Sequence, residues 1–128
     1  MLTTRRKRGF QKKRMHEASI ALSLLEIASR ECSKSGHKRI DSISVRVGKA
    51  SGVMPDALLF AFDAMKEGSA ARDAVLQVEE VPVSGRCRDC SSEFTVAEQY
   101  VLSCPICGGR SFSITAGREM DITEMEVS

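Results

Sequence analysis

Tryptophan is absent from this chain, and one tyrosine and five phenylalanines are its only aromatic residues. A core built on large rings is therefore ruled out, and so little aromatic surface argues against base stacking on single-stranded nucleic acid. No apolar run approaches the roughly 18 residues that a membrane helix needs. The basic N-terminus lacks the following apolar stretch of about 7–15 residues that marks a secretory signal. These two absences lead us to expect a cytoplasmic protein that contacts no membrane, in a compartment where thiols stay reduced. Nothing in the sequence forms a catalytic triad, a phosphate loop or a pair of acid/base carboxylates, so a non-enzymatic role is expected. Histidine is scarce as well: only His16 and His37 are present.

What is present fits one domain, or one domain with a small satellite, in 128 residues. The net charge of +2 hides an asymmetry, because residues 1–14 hold seven basic side chains and no acidic one. Removing those seven charges from +2 leaves residues 15–128 at −5. An acidic body carrying a basic segment has little to bury in that segment, and residues 1–14 are expected to be a disordered arm or a mis-assigned start lying outside the fold.

Helical spacing runs from Ala18 to about Ser35, with Ile20, Ala21, Leu24, Leu25, Ile27, Ala28 and Cys32 on one broad stripe and Gly36 as the stop. Cys32 on that stripe reads as core packing. Ile43, Val45 and Val47 alternate with Ser44 and Arg46, the pattern of a half-buried strand. Pro55 and Asp56 open a second helix whose buried face is Leu58, Leu59, Phe62 and Met65. A second strand is expected over 74–83, with Pro82 marking an edge or an exit. β-like sequence returns from about Phe112 to Val127, interrupted around Gly117. The expected fold is an α/β arrangement (an α+β sandwich) of two helices on a small three-stranded sheet, formed by 15–84 plus 112–128, with residues 85–111 inserted as a separate lobe.

That insertion carries the strongest chemical signal. Cys87 and Cys90 form one CxxC pair and Cys104 and Cys107 another, with thirteen residues between the pairs. Two CxxC turns can place four thiolates around one ion, the arrangement of a structural zinc ribbon. Soft ligands and tetrahedral geometry favour zinc, with iron as the alternative occupant. With all four positions filled by protein, such an ion has no open site for catalysis.

His16 and Glu17, just ahead of the first helix, offer an imidazole, a carboxylate and backbone nitrogens that could hold a borderline divalent ion. A His-Glu pair alone is also what an ordinary solvated first turn looks like. The stretches MHEASIALSLLEIA, RVGKASGVMPDALLFAFDAM and CRDC…CPICGG, in this order and spacing, resemble the HypA/HybF family of nickel-insertion accessory proteins for [NiFe]-hydrogenase maturation. The resemblance covers residues 15–127. It implies a two-lobed nickel metallochaperone in which nickel, as cargo, is held through His16 with help from Met15, Glu17 and their backbone nitrogens. It also implies structural zinc on Cys87, Cys90, Cys104 and Cys107. The partners implied are a HypB-type GTPase and the hydrogenase large subunit, and some members also serve urease through its accessory proteins. Two departures stand out: the family's methionine is normally the first residue, whereas Met15 follows fourteen others, and many members have an acidic residue where this chain has Met54. A second reading, a zinc-ribbon nucleic-acid-binding protein using residues 1–14 to contact phosphates, draws support from the basic segment alone and is opposed by the acidic body.

Overall fold

The computed structural model describes residues 2–4 and 17–128. In chain order the elements are β1 (Leu2–Thr4), α1 (Glu17–Lys34), β2 (Ile40–Gly48), a 3-10 turn (Lys49–Ser51), α2 (Pro55–Met65), β3 (Val75–Val81), β4 (Val83–Cys87), β5 (Glu93–Val96), β6 (Phe112–Ala116) and β7 (Met120–Val127). They make two sheets, a four-stranded one in the order β1-β7-β2-β3 and a three-stranded one in the order β5-β4-β6.

The first sheet carries both helices on one face. Helix α1 turns Ile20, Ala21, Leu24, Leu25, Ala28 and Cys32 inward, the stripe set by the spacing of its apolar residues. Its end is closed where the Gly36 and His37 amides bond back to the carbonyls of Ser33 and Cys32. Helix α2 begins at Pro55, whose missing N–H costs nothing in a first turn, and buries Leu58 and Phe62. These side chains meet Ile43, Val45 and Val47 from β2, Leu76 from β3, and Met120, Ile122, Met125 and Val127 from β7 in one core. Strands β2 and β3 run parallel, with Val45 beside Val78, so α2 is the crossover between them. Strand β7 returns antiparallel on the other side of β2.

Three details depart from the sequence expectation. Leu2–Thr4 add a short fourth strand to the expected three, pairing antiparallel with β7 so that Leu2 lies opposite Val127 and Thr4 opposite Met125. The basic charges of that segment begin only at Arg5, so the composition of residues 1–14 taken together masks three β-compatible residues at its start. The other residues of the expected arm lie outside the described ones. The β-like run from Phe112 to Val127 is also divided between the sheets: β6 pairs with β4, and only β7 joins β2. Gly117, at φ +112°, makes the break. The smaller sheet accordingly runs from Val83 to Ala116, wider than 85–111.

The two sheets meet at a backbone junction. Gly48 N–H donates to the Glu119 carbonyl at 2.7 Å, and Ala50 N–H to the Gly117 carbonyl at 2.8 Å. A β-carbon on Gly48 would collide with the Gly117 carbonyl, so this approach requires glycine. The Lys49 ammonium donates to the Ala97 carbonyl at 3.1 Å, tying the 3-10 turn to the loop after β5. Among the described residues no helix is long and apolar enough to cross a membrane.

Candidate metal centre

The smaller sheet buries very little. Cys87, Phe94 and Cys104 form a buried cluster, with Cys90, Val96, Val101 and Phe112 packed alongside, and Val83 is buried where β4 begins. Phe94 and Phe112 meet edge to face, 5.9 Å between ring centres. Two of the three buried residues of this cluster are cysteine, an arrangement that calls for a staple other than apolar contact.

Two matching turns aim the four sulfurs at one point. In each, the residue after the second cysteine takes a left-handed backbone: Ser91 at φ 62° and Gly108 at φ +78°. The first turn is closed by Cys87 N–H on the Ser92 carbonyl, the second by Cys104 N–H on the Gly109 carbonyl and Gly108 N–H on the Cys104 carbonyl. Backbone amides also point at sulfur, Ile106 N–H toward Cys104 and Gly109 N–H toward Cys107, both at 3.4 Å. Such donors favour thiolate over thiol.

Cys87 and Cys107 sulfurs are 3.6 Å apart and those of Cys90 and Cys104 3.8 Å, while all four lie within 4.8 Å of one another. A tetrahedron of sulfurs with metal–sulfur bonds of about 2.3 Å has an edge of about 3.8 Å, so a single tetrahedral ion fits this cage. Disulfide pairing is not present, and all five cysteines are free. Hydrogen bonds from the Ser92 hydroxyl and amide bring the Cys90 thiol down to about 6. The Gly109 amide pulls Cys107 down too, but thiol sharing with Cys87, burial, and sharing with Cys90 and Cys104 prevail and push it up to about 12. Cys90 thus gives up its proton well before Cys107. The site residues read from the sequence, Cys87, Cys90, Cys104 and Cys107, are brought together.

Of the second proposed set, Met15 and His16 lie outside the described residues. Glu17 opens α1, and its Oε2 accepts the Met54 N–H at 3.0 Å, joining the start of α1 to the start of α2. Thirty-seven residues separate the pair, and no sequence signal announced this contact. Beside Met54, a cleft of about 370 Å³ opens toward the smaller sheet, lined by Lys49, Asp56, Glu80, Ala97 and Gln99 among others. His37 is engaged elsewhere, its Nδ1 lying 2.9 Å from the Ser35 carbonyl. Cys32 is buried in the larger core, and burial pushes its thiol up, with Asp41 adding to the effect, as suits a packing residue and not a ligand.

Comparison with known proteins agrees with this arrangement. Residues 15–127 match the family described as "Hydrogenase/urease nickel incorporation, metallochaperone, hypA". The chain is 39% identical over 113 residues to the hydrogenase maturation factor HypA of Geotalea daltonii, covering 88% of this chain and 99% of that one. It is 38% identical over 112 residues to the HypA of Roseiflexus sp., covering 88% and 91%. Among solved structures it is similar to the nickel metallochaperone HypA of Helicobacter pylori, with a TM-score of 0.63 and 28% identity over 88% of this chain and 97% of that one. Another solution structure of a HypA protein gives a TM-score of 0.66 at 28% identity, covering 89% and 97%. A helix pair on a sheet, a four-cysteine ribbon set into it, and a match running the length of both place this chain in the HypA family of hydrogenase/urease nickel-incorporation metallochaperones.

Proposed function

We propose that this protein is a carrier that binds nickel(II) and delivers it to the hydrogenase maturation machinery, and that it catalyses no reaction itself. The family match across residues 15–127, which takes in Met15, His16 and Glu17, is the observation that supports this reading. In it the His16 imidazole is the principal side-chain ligand for the cargo, with Met15 and Glu17 contributing through their backbone nitrogens, a nitrogen-rich donor set suited to nickel. Zinc is the ion we assign to Cys87, Cys90, Cys104 and Cys107, because a closed four-thiolate cage holds it without an open position. Its role is to fold the ribbon. The nearer partners we assign are a HypB-type GTPase and the hydrogenase large subunit, with urease accessory proteins as further clients, and the compartment is the cytoplasm.

The test is a pair of measurements on the wild-type protein and His16→Ala. Nickel titration should show binding in the first and its loss in the second, while elemental analysis finds one zinc per chain in both. Equal nickel affinity in the two proteins would remove His16 from the site. No nickel binding by the wild type would end the carrier reading.

A further inference from the structure

The contact between Glu17 and Met54 has a chemical logic that the nickel site alone does not supply. Met54 is the residue on which α2 starts: its backbone is extended, at φ −91° and ψ 116°, and its carbonyl accepts the Leu58 N–H at 3.0 Å. In a helix capped by its own sequence, a Glu or Gln three residues on reaches back to the amide of this starting residue. Here that position is Ala57, whose methyl group cannot do so. No side chain of α2 caps its start. The acceptor comes instead from the first residue of α1, so Glu17 completes in trans the half of the capping box that α2 lacks. Two helix N-termini, each bearing partial positive charge, converge on this one carboxylate.

Resting on the reading that nickel binds at His16, we infer that the Glu17 carboxylate is a positioning group: it clasps the start of α2 to the start of α1 and so orients the metal-binding segment, while nickel is left to the His16 imidazole and backbone nitrogens. The geometry favours this division of labour. Oε2, which accepts the Met54 amide at 3.0 Å, is held by α2, and turning that oxygen onto a cation would strip the amide of its partner.

Four variants separate a clasp from a ligand. Glu17→Gln keeps an oxygen that accepts the Met54 amide. Glu17→Ala removes it. Met54→Pro removes the donor hydrogen and leaves the carboxylate intact, with a shift of the Met54 φ from −91° toward proline's value of about −65°. The fourth combines Glu17→Ala with Met54→Pro. Far-ultraviolet circular dichroism and zinc content establish that each is folded. With a clasp, Glu17→Gln holds nickel within about 3-fold of wild type and with an unchanged X-ray absorption donor set. Glu17→Ala and Met54→Pro each lose about 10-fold, and the double variant loses no more than either. Exchange of the Met54 amide hydrogen quickens in Glu17→Ala and stays slow in Glu17→Gln. If Glu17→Gln loses as much affinity as Glu17→Ala and its donor set changes, the carboxylate is a ligand and the inference is overturned. Unchanged nickel affinity in Glu17→Ala overturns it as well. A wild-type protein that binds no nickel refutes the proposed function first; rapid Met54 amide exchange in the wild type refutes the clasp by itself.

Discussion

Stripping the metal from the four cysteines should unfold the ribbon and spare the rest of the protein. The magnitudes come from what each lobe buries. In the cluster around the cysteines Phe94 is the only buried apolar side chain besides cysteine, contributing about 1.5–3 kcal/mol. Its edge-to-face contact with Phe112 adds about 0.5–1.5 kcal/mol. A structural zinc ion contributes about 10–16 kcal/mol in small metal-folded domains, several times as much. The larger lobe, by contrast, rests on twenty buried residues and needs no ion. Hydrogen exchange followed by mass spectrometry, before and after a strong chelator, reads the difference directly. The Cys87, Arg88 and Cys104 amides, held by the carbonyls of Ser92, Ser111 and Gly109, should exchange freely once the metal is gone. Amides shared between β2 and β7 should stay protected. At the junction the outcome should split within three residues: the Ala50 amide, bonded to Gly117 next to β6, loses protection, and the Gly48 amide, bonded to Glu119 next to β7, keeps it. Ribbon amides that remain protected in protein shown by elemental analysis to be metal-free would refute the reasoning. So would loss of protection across both lobes at once, which would mean that the two sheets fold as one unit.

Loading the ribbon should release protons and weaken as pH falls. At pH 7.5 Cys90, lowered to about 6, is already ionised, while Cys107, raised to about 12, gives up its proton only to the metal. Calorimetric titration in buffers of different ionisation enthalpy measures this release, and an enthalpy independent of buffer would contradict it. Gly48→Ala drives a methyl group into backbone atoms of Gly117 and Arg118, which cannot step aside as a side chain would. It should lower stability by about 3 kcal/mol, read from the urea midpoint, and a change below about 0.5 kcal/mol would show that the junction can open without cost.

Much of this protein could be read from its residues in order, and the reason is local. The i, i+3, i+4 spacing of Ile20, Ala21, Leu24, Leu25 and Ala28 selects a helix whatever lies around it, as the alternation of Ile43, Val45 and Val47 selects a strand. The two CxxC pairs are likewise short-range, since two intervening residues let both sulfurs of one turn face one ion. What the chain order does not carry is the choice of partner across space. The run from Phe112 to Val127 has one β-like composition, yet its first half pairs with β4 and its second with β2, because Gly117 turns the backbone between two sheets. Leu2–Thr4 are too few to register as a strand and become one only because the edge of β7 offers unpaired backbone groups. The Glu17 side chain could be read from sequence as a metal ligand or a solvated first-turn residue. Its bond to the Met54 amide, thirty-seven residues away, exists because packing α1 against α2 on one sheet brings their N-termini together.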